Sequence, residues 1–252
     1  MLSNLLIVVG VALLAAAGYL WGKAQWGYHK QDEVNRRLQE YVTVVEESDD
    51  TPEGPVGPQV DWAGLKKVND EVVGWLQIPG TVVNYPVYQH SDNDYYLDYN
   101  AEGVITVGGQ LFMDYEGTRP GLVDQSTLIY GHHQKDGSMF QAVAKLDDQE
   151  AFDATETVWY VTEGQTYELE PLLLYYTQPD DQDVRKFTFK SKSQFTKHLK
   201  GLVDKAKTKR PDAAQLAEQA EHVLCLITCN YYDGYGRTVL VCMPKSEAQT
   251  GA

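Results

Sequence analysis

Three side chains in this sequence have the types and spacing of a nucleophilic centre. Cys229 ends the apolar run Leu224-Cys225-Leu226-Ile227-Thr228-Cys229, and Arg237 opens the next apolar run, 237–243. Residues 230–236 between them are polar and contain glycine, which marks a turn. Paired as an antiparallel hairpin, the two strands would hold the thiol and the guanidinium beside each other at the hairpin mouth. A thiol attacks a carbonyl well only as the thiolate, so it needs a base or a cation nearby. The best candidate base lies in Ile129-Tyr130-Gly131-His132-His133, an apolar strand that runs into histidine. Adjacent strand residues point to opposite faces, so only one of His132 and His133 is expected to face Cys229. The chosen histidine would protonate a leaving amine and deprotonate an incoming one. Arg237 would hold the oxyanion that forms on an attacked carbonyl, because its planar fork presents several donors. Thr228 is a candidate for shaping a substrate groove. Blander readings stand beside each of these: a buried core cysteine at position 229, an Arg237–Asp233 salt bridge, and Thr228 as a simple strand former. His29, His90, His198 and His222 read as surface or linker residues.

The same segments resemble a known family. Leu226-Ile227-Thr228-Cys229 with Arg237 downstream is similar to the cysteine signature of sortases, and residues 130–140, Tyr130-Gly131-His132-His133 through Phe140, resemble the histidine segment of the class B branch. Val73-Gly74-Trp75-Leu76-Gln77-Ile78-Pro79-Gly80-Thr81, Asn84-Tyr85-Pro86-Val87 and Gly109-Gln110-Leu111-Phe112-Met113-Asp114-Tyr115 resemble the family's earlier strands. Matching segments run from about Val60 to Pro244 in the family's order. Cys225 stands where the signature has its first Thr, and Ile227 fills the variable position. The resemblance implies that Cys229, His132 (directly after Gly131) and Arg237 are catalytic. It implies a membrane-anchored cysteine transpeptidase of a Gram-positive surface. Such an enzyme cuts surface proteins at a C-terminal sorting signal and passes the acyl group from a thioacyl enzyme to a wall-precursor or pilin amine. A thiol peptidase releasing product to water, and a membrane-tethered β-barrel module with a structural cysteine, are the alternatives.

Composition narrows the partners. The 252 residues are 43% hydrophobic and 23% charged, ordinary for a globular protein. A formal charge of -15 argues against nucleic acid, which needs a basic surface. Three cysteines are too few for a disulfide framework, although a Cys225–Cys242 pair across the hairpin is conceivable. There is no Cys-x-x-Cys or His-Glu-x-x-His spacing and no Gly-rich phosphate loop, so no metal or cofactor is expected.

Stepping along the chain, the almost unbroken apolar run 5–21 reads as a membrane anchor occupying residues 1–23. A cleaved signal peptide is the rival, but no basic segment precedes the run. The positive residues Lys23, Lys30, Arg36 and Arg37 follow it. A positive-inside count would therefore keep the body in the cytoplasm, whereas the resemblance implies an extracellular body on a single-pass anchor. Residues 24–58 read as an amphipathic helix over 32–47 followed by a linker, and 59–252 as the catalytic domain. Asp61 is a plausible N-cap for a short helix over 62–68. Strands are expected at 72–78, 82–88, 109–115, 126–132, 157–162, 166–177, 222–229 and 237–243. Pro86 suggests an edge or bulge. Helices are expected at 139–146, 191–207 and 213–221, with a helical turn in 91–99. Eight strands with short peripheral helices predict a mainly β fold, a closed eight-stranded barrel, because closure removes exposed edges.

Overall fold

The computed structural model of the protein describes residues 2–44, 57–229 and 236–248. A long helix, α1 (Leu2–Gln39), leads to a small antiparallel pair, β1 (Val42–Thr43) with β2 (Gln59–Val60), and then to α2 (Trp62–Val68). There follow β3 (Val72–Gln77), β4 (Asn84–Tyr88), α3 (Tyr95–Asp98), β5 (Leu111–Met113), β6 (Ser126–Tyr130), α4 (Gln141–Ala144), α5 (Gln149–Asp153), β7 (Val158–Val161) and β8 (Thr166–Thr177). The chain ends with α6 (Lys192–Lys205), β9 (Thr208–Lys209), α7 (Ala213–Gln219), β10 (Val223–Cys229), β11 (Arg237–Pro244) and α8 (Lys245–Ala248).

Eight strands form a ring in the order β11-β10-β6-β5-β4-β3-β7-β8, closed by the pairing of β11 with β8; β9 adds to β8 outside the ring. The expected eight-stranded barrel is the observed one. Its pairings are antiparallel except β10 with β6 and β4 with β5. Pro86 sits inside β4 rather than on an open edge, but the short ladder with β5 begins only at Val87, so the missing N–H falls outside it.

The apolar pattern of β10 and β11 explains their central place. Leu224, Leu226, Leu240 and Cys242 fill the barrel interior, while Val223, Cys225, Ile227, Val239, Val241 and Met243 pack outward under α6 and α7. Strands buried on both faces read as continuous apolar runs rather than alternating ones. The helix α6 supplies its side of that outer layer with Phe195, Leu199, Leu202 and Val203, at the spacing of one helical face. Ser191 caps it by accepting from Gln194 N, and Asp61 caps α2 by accepting from Gly64 N at 2.9 Å.

The N-terminal region differs from expectation. The anchor and the amphipathic helix are one continuous helix that stops at Gln39 rather than near residue 47. The linker that follows lies largely outside the described residues. The C-terminal third of α1 packs on the barrel through Gln31, Val34, Asn35 and Leu38, and Gln31 Nε2 donates to the Gly109 carbonyl at 3.0 Å. The expected single-pass anchor is not supported: among the described residues no helix is long and apolar enough to cross a membrane. The length of the apolar run, not of the helix, gives the physical reason. The apolar run 5–21 rises roughly 25 Å at about 1.5 Å per residue, short of a hydrocarbon core of roughly 30 Å. Leu13, Leu14, Tyr19, Leu20 and Trp21 nevertheless stand exposed on this helix.

One buried ion pair ties the segment between β8 and α6 to the barrel. Asp114, fully buried just after β5, accepts from Arg185 Nε at 2.9 Å and Nη2 at 2.8 Å, from Tyr130 Oη at 2.8 Å and from Glu116 N at 3.1 Å. Burial by itself would raise the Asp114 pKa. The Arg185, Glu116 and Tyr130 hydrogen bonds outweigh it and hold the carboxyl below its usual 3.8. A carboxyl with a depressed native pKa contributes stability that is complete above its unfolded value and drains away as pH falls through the native one. Wild type is therefore expected to keep this contribution down to roughly pH 4. Asp114→Ala should cost about 3 kcal/mol at neutral pH and flatten the acid limb. Denaturant unfolding at pH 7 and at pH 3 checks this, and equal losses for the variant at both pH values would refute it.

Candidate active site

The register of β10 and β11 sets the geometry. Cys229 pairs directly with Arg237, so the two side chains leave the same face of the hairpin from adjacent strands. That face is the outer one, shared with Cys225 and Ile227. On the far side of β11, Arg237 pairs with Thr177 of β8. Thr228 points the other way and is buried, and its hydroxyl has no hydrogen-bond partner among the described residues. Cys229, Thr228, Arg237 and His132 all line one cleft of about 220 Å³, together with Asn93, Leu97, Phe112, Tyr130, Gly131, Pro179 and Ile227.

The expected strand 126–132 stops at Tyr130, and the Gly131 amide donates to the Ile227 carbonyl at 3.0 Å. Both histidines therefore lie beyond the strand, and strand alternation does not sort them. The structure separates them by contact. His132, partly exposed, lines the cleft and uses Nε2 to donate to the Leu97 carbonyl at 2.7 Å. His133 uses Nδ1 to donate to the main-chain carbonyl of Cys229 at 3.0 Å, so it braces the end of β10. A carbonyl only accepts, so each contacting nitrogen carries hydrogen.

Arg237 is partly exposed. Among the described residues its guanidinium makes a hydrogen bond from Nη1 to the Gly236 carbonyl at 3.3 Å and no ion pair. Asp233 and most of the hairpin turn lie outside the described residues. All three cysteines are free. Cys225 and Cys242 occupy neighbouring registers with opposite facing, one outward and one into the barrel, so the hairpin does not pair them. Burial pushes the Cys225 thiol up to about 12 and that of Cys242 well above its ordinary value, whereas Cys229 is partly exposed.

Sequence reasoning missed Leu97, because its contribution is a main-chain carbonyl and any residue carries one. The carbonyl has a traceable support. Gly109 has φ +51°, and a Cβ there would lie 2.0 Å from the Tyr96 oxygen and 2.7 Å from the Leu97 oxygen. Only glycine fits both the conformation and the space.

Two measurements follow from this geometry. Alkylation with a thiol reagent near neutral pH should label Cys229 in the folded chain and leave Cys225 and Cys242 unmodified; mass mapping of the labelled peptides reads this directly, and labelling of all three would contradict it. Gly109→Ala should cost about 1–3 kcal/mol through backbone strain and displace the Leu97 carbonyl. It is therefore expected to shift the imidazole NMR resonances of His132 but not those of His222. An unchanged His132 spectrum would show that the carbonyl does not set its ring.

Known proteins supply an independent comparison. The family model for the sortase domain matches residues 76–245. Sortase B of Listeria monocytogenes is 41% identical over 116 residues, which is 46% of this chain and 47% of that protein. The chain spans about half the length of the curated relatives it matches. Among solved structures, Bacillus anthracis sortase B in complex with AAEK1 superposes with a TM-score of 0.71 at 28% identity, over 87% of this chain and 98% of that one. The Staphylococcus aureus sortase B–substrate complex gives 0.64 at 25% identity, over 72% of this chain and 83% of that one. With the family model covering the barrel from β3 to the start of α8, the chain belongs to the sortase family, in its class B branch.

Proposed function

We propose that the protein is a cysteine transpeptidase that cleaves surface proteins at a C-terminal sorting signal and joins them to an amine of the cell wall or of a pilin. The observation that carries this reading is the in-register pair of Cys229 and Arg237 at the lip of a cleft that also holds His132. That a Staphylococcus aureus sortase B of the same fold has been solved as a substrate complex supports a substrate-binding role for this barrel. In this reading the Cys229 thiolate attacks the scissile carbonyl, and the C–O π electrons move to oxygen. Arg237 donates to the oxyanion. The tetrahedral adduct collapses to a thioester, and the leaving amine takes a proton from the His132 imidazolium. Neutral His132 then takes a proton from the incoming amine, which attacks the thioester and releases the thiolate with a new amide bond. Thr228 helps shape the cleft floor. His133 positions the strand that carries the nucleophile without exchanging a proton.

The reading places the catalytic body at the cell surface, as for other sortases. The exposed apolar residues of α1 then serve as its attachment to lipid.

Arg237→Lys separates two roles for the guanidinium. A lysine keeps the charge beside the thiol but loses the planar fork. Loss of an oxyanion donor typically costs about 10²–10³-fold in turnover. Turnover on a sorting peptide should fall by that order while Cys229 still alkylates readily. Turnover within a few-fold of wild type would reduce Arg237 to a local charge. Parallel collapse of both rates would move its role to the thiolate. Alongside it, Cys229→Ala should abolish cleavage with the fold intact, and His132→Ala should lose far more activity than His133→Ala. Residual thioester formation in the first, or equal losses in the second pair, would overturn the assignment.

A further inference from the structure

The Leu97 carbonyl that meets His132 lies on α3, and α3 is a single turn. One turn of helix has too few internal hydrogen bonds to hold itself. Its main chain contributes Leu97 N to the Asp94 carbonyl at 3.1 Å and Tyr99 N to the Tyr95 carbonyl at 3.0 Å. What ties it to the barrel is the residue before Leu97. Tyr96 is buried, with its ring stacked on Tyr88 and Phe112 at centroid separations of 5.2 and 6.5 Å. Its hydroxyl donates to Glu71 Oε2 at 2.6 Å and accepts from Asn69 Nδ2 at 2.9 Å. Burial first, and then the Glu71 carboxylate, push the Tyr96 pKa up, so the phenol keeps the hydrogen it donates. A short bond from a hydroxyl to a carboxylate belongs to the stronger class of hydrogen bonds.

The acceptor is itself held. Glu71 stands just before β3 and His90 just after β4, across that antiparallel pair from each other, and the Glu71 carboxylate meets His90 Nδ1 at 2.8 and 3.0 Å. Gln89 N donates to the Glu71 carbonyl at 3.0 Å, and Glu71 N donates to Asn69 Oδ1 at 2.9 Å. The His90 ring stacks on Tyr95 with 4.3 Å between centroids. Three successive residues of α3 therefore have separate tasks. Tyr95 packs against His90, Tyr96 hooks Glu71, and Leu97 lines the Cys229 cleft. Tyr88 supplies a contrast. Its hydroxyl is buried in the same aromatic cluster, yet it has no hydrogen-bond partner among the described residues. Burial here does not by itself provide a phenol with a carboxylate, so the Tyr96–Glu71 bond is not a general consequence of the packing.

We propose that Tyr96 and Glu71 are positioning residues for His132: the Tyr96 hydroxyl, hooked to the rim of the barrel by Glu71, fixes α3 so that the Leu97 carbonyl holds the His132 ring at the cleft. Leu97 follows Tyr96 directly, so a rotation of the single turn moves the phenol and the Leu97 carbonyl together. The turn is also held from its other side, where Gln110 N donates to the Tyr96 carbonyl at 3.0 Å beside Gly109. Neither Tyr96 nor Glu71 lines the Cys229 cleft, so their effect on the chemistry passes through His132. The placement of the ring stands on this geometry alone, while its consequence for turnover rests on the transpeptidase reading.

The test compares Tyr96→Phe, Glu71→Gln, Glu71→Ala and Tyr88→Phe in the full chain. The readouts are the imidazole NMR resonances of His132, assigned with His132→Ala, and steady-state turnover on a sorting peptide. Tyr96→Phe keeps the ring and removes the hook. It should shift the His132 resonances and lower kcat by roughly ten- to hundred-fold, with KM nearly unchanged. Glu71→Gln still offers an amide oxygen to the hydroxyl and should keep the wild-type resonances and most of the turnover, whereas Glu71→Ala should behave as Tyr96→Phe does. Tyr88→Phe removes a hydroxyl with no partner and should change neither readout. A lower melting temperature for Tyr96→Phe with unchanged resonances and kcat would make the hydroxyl a structural group only and overturn the proposal. Equal shifts in Tyr88→Phe would also overturn it, by assigning the effect to the aromatic stack. Should Tyr96→Phe not fold, Glu71→Ala decides by the same criteria, since Glu71 is partly exposed and outside the core. Shifted resonances in Tyr96→Phe, with no turnover of a sorting peptide by wild type, would refute the transpeptidase reading and leave the positioning of His132 standing.

Discussion

The register of the β10–β11 pair is the constraint on which the rest of the structure depends. Directly opposed residues share a face, so Cys229 and Arg237 meet only while Leu226 sits opposite Leu240 and Ile227 opposite Val239. A slip of one residue would turn Arg237 toward the barrel interior and expose a stripe of leucine. Several features oppose that slip. Both faces of both strands are buried, one in the barrel and one under α6 and α7. Each strand is also paired on its other side, β10 to β6 and β11 to β8. The closed ring leaves neither strand an edge along which to slide.

The candidate site is distributed between that hairpin and less regular backbone. The thiol and the guanidinium come from the strands. His132 comes from beyond a strand end, and its ring is set by a carbonyl lodged against a glycine that tolerates no Cβ. The other wall of the cleft includes Pro179, in a segment held to the barrel by the Arg185–Asp114 pair, and Tyr130, whose hydroxyl bonds the same carboxylate. One buried charge thus fixes two walls of the cleft. The three cysteines show how far placement governs reactivity. Two are buried within the same hairpin, where burial raises their thiol pKa, and the third is partly exposed at its end.

Much of this was legible in the residues. Continuous apolar runs gave β10 and β11, and spacing gave the α6 face over Phe195, Leu199, Leu202 and Val203. A single aspartate gave the start of α2. The readings that failed did so for identifiable reasons. Strand alternation was applied to His132 and His133, but the strand ends at Tyr130, and a rule about strands does not govern a loop. The apolar run and the amphipathic segment of α1 differ in composition and so suggest two elements, but no proline lies between them and the helix runs through Gly22 and Gly27. Leu97 acts through its main chain, and Asp114 finds Arg185 far along the sequence, so neither leaves a local pattern. The expected turn 230–236 lies almost wholly outside the described residues.

The open Cys229 cleft bears on a problem that the proposed acyl transfer would have to solve. A thioester at the rim of an open cleft is accessible to water, which is present in large excess over any amine. Partition toward the amine then depends on how long, and how well aligned, an acceptor resides beside the thioester, because fixed orientation raises its effective concentration. In the proposed reaction the Cys229 cleft would have to admit the acceptor as well as the donor, so its partly exposed rim at His132 and Arg237 is where amine and water would compete for the thioester.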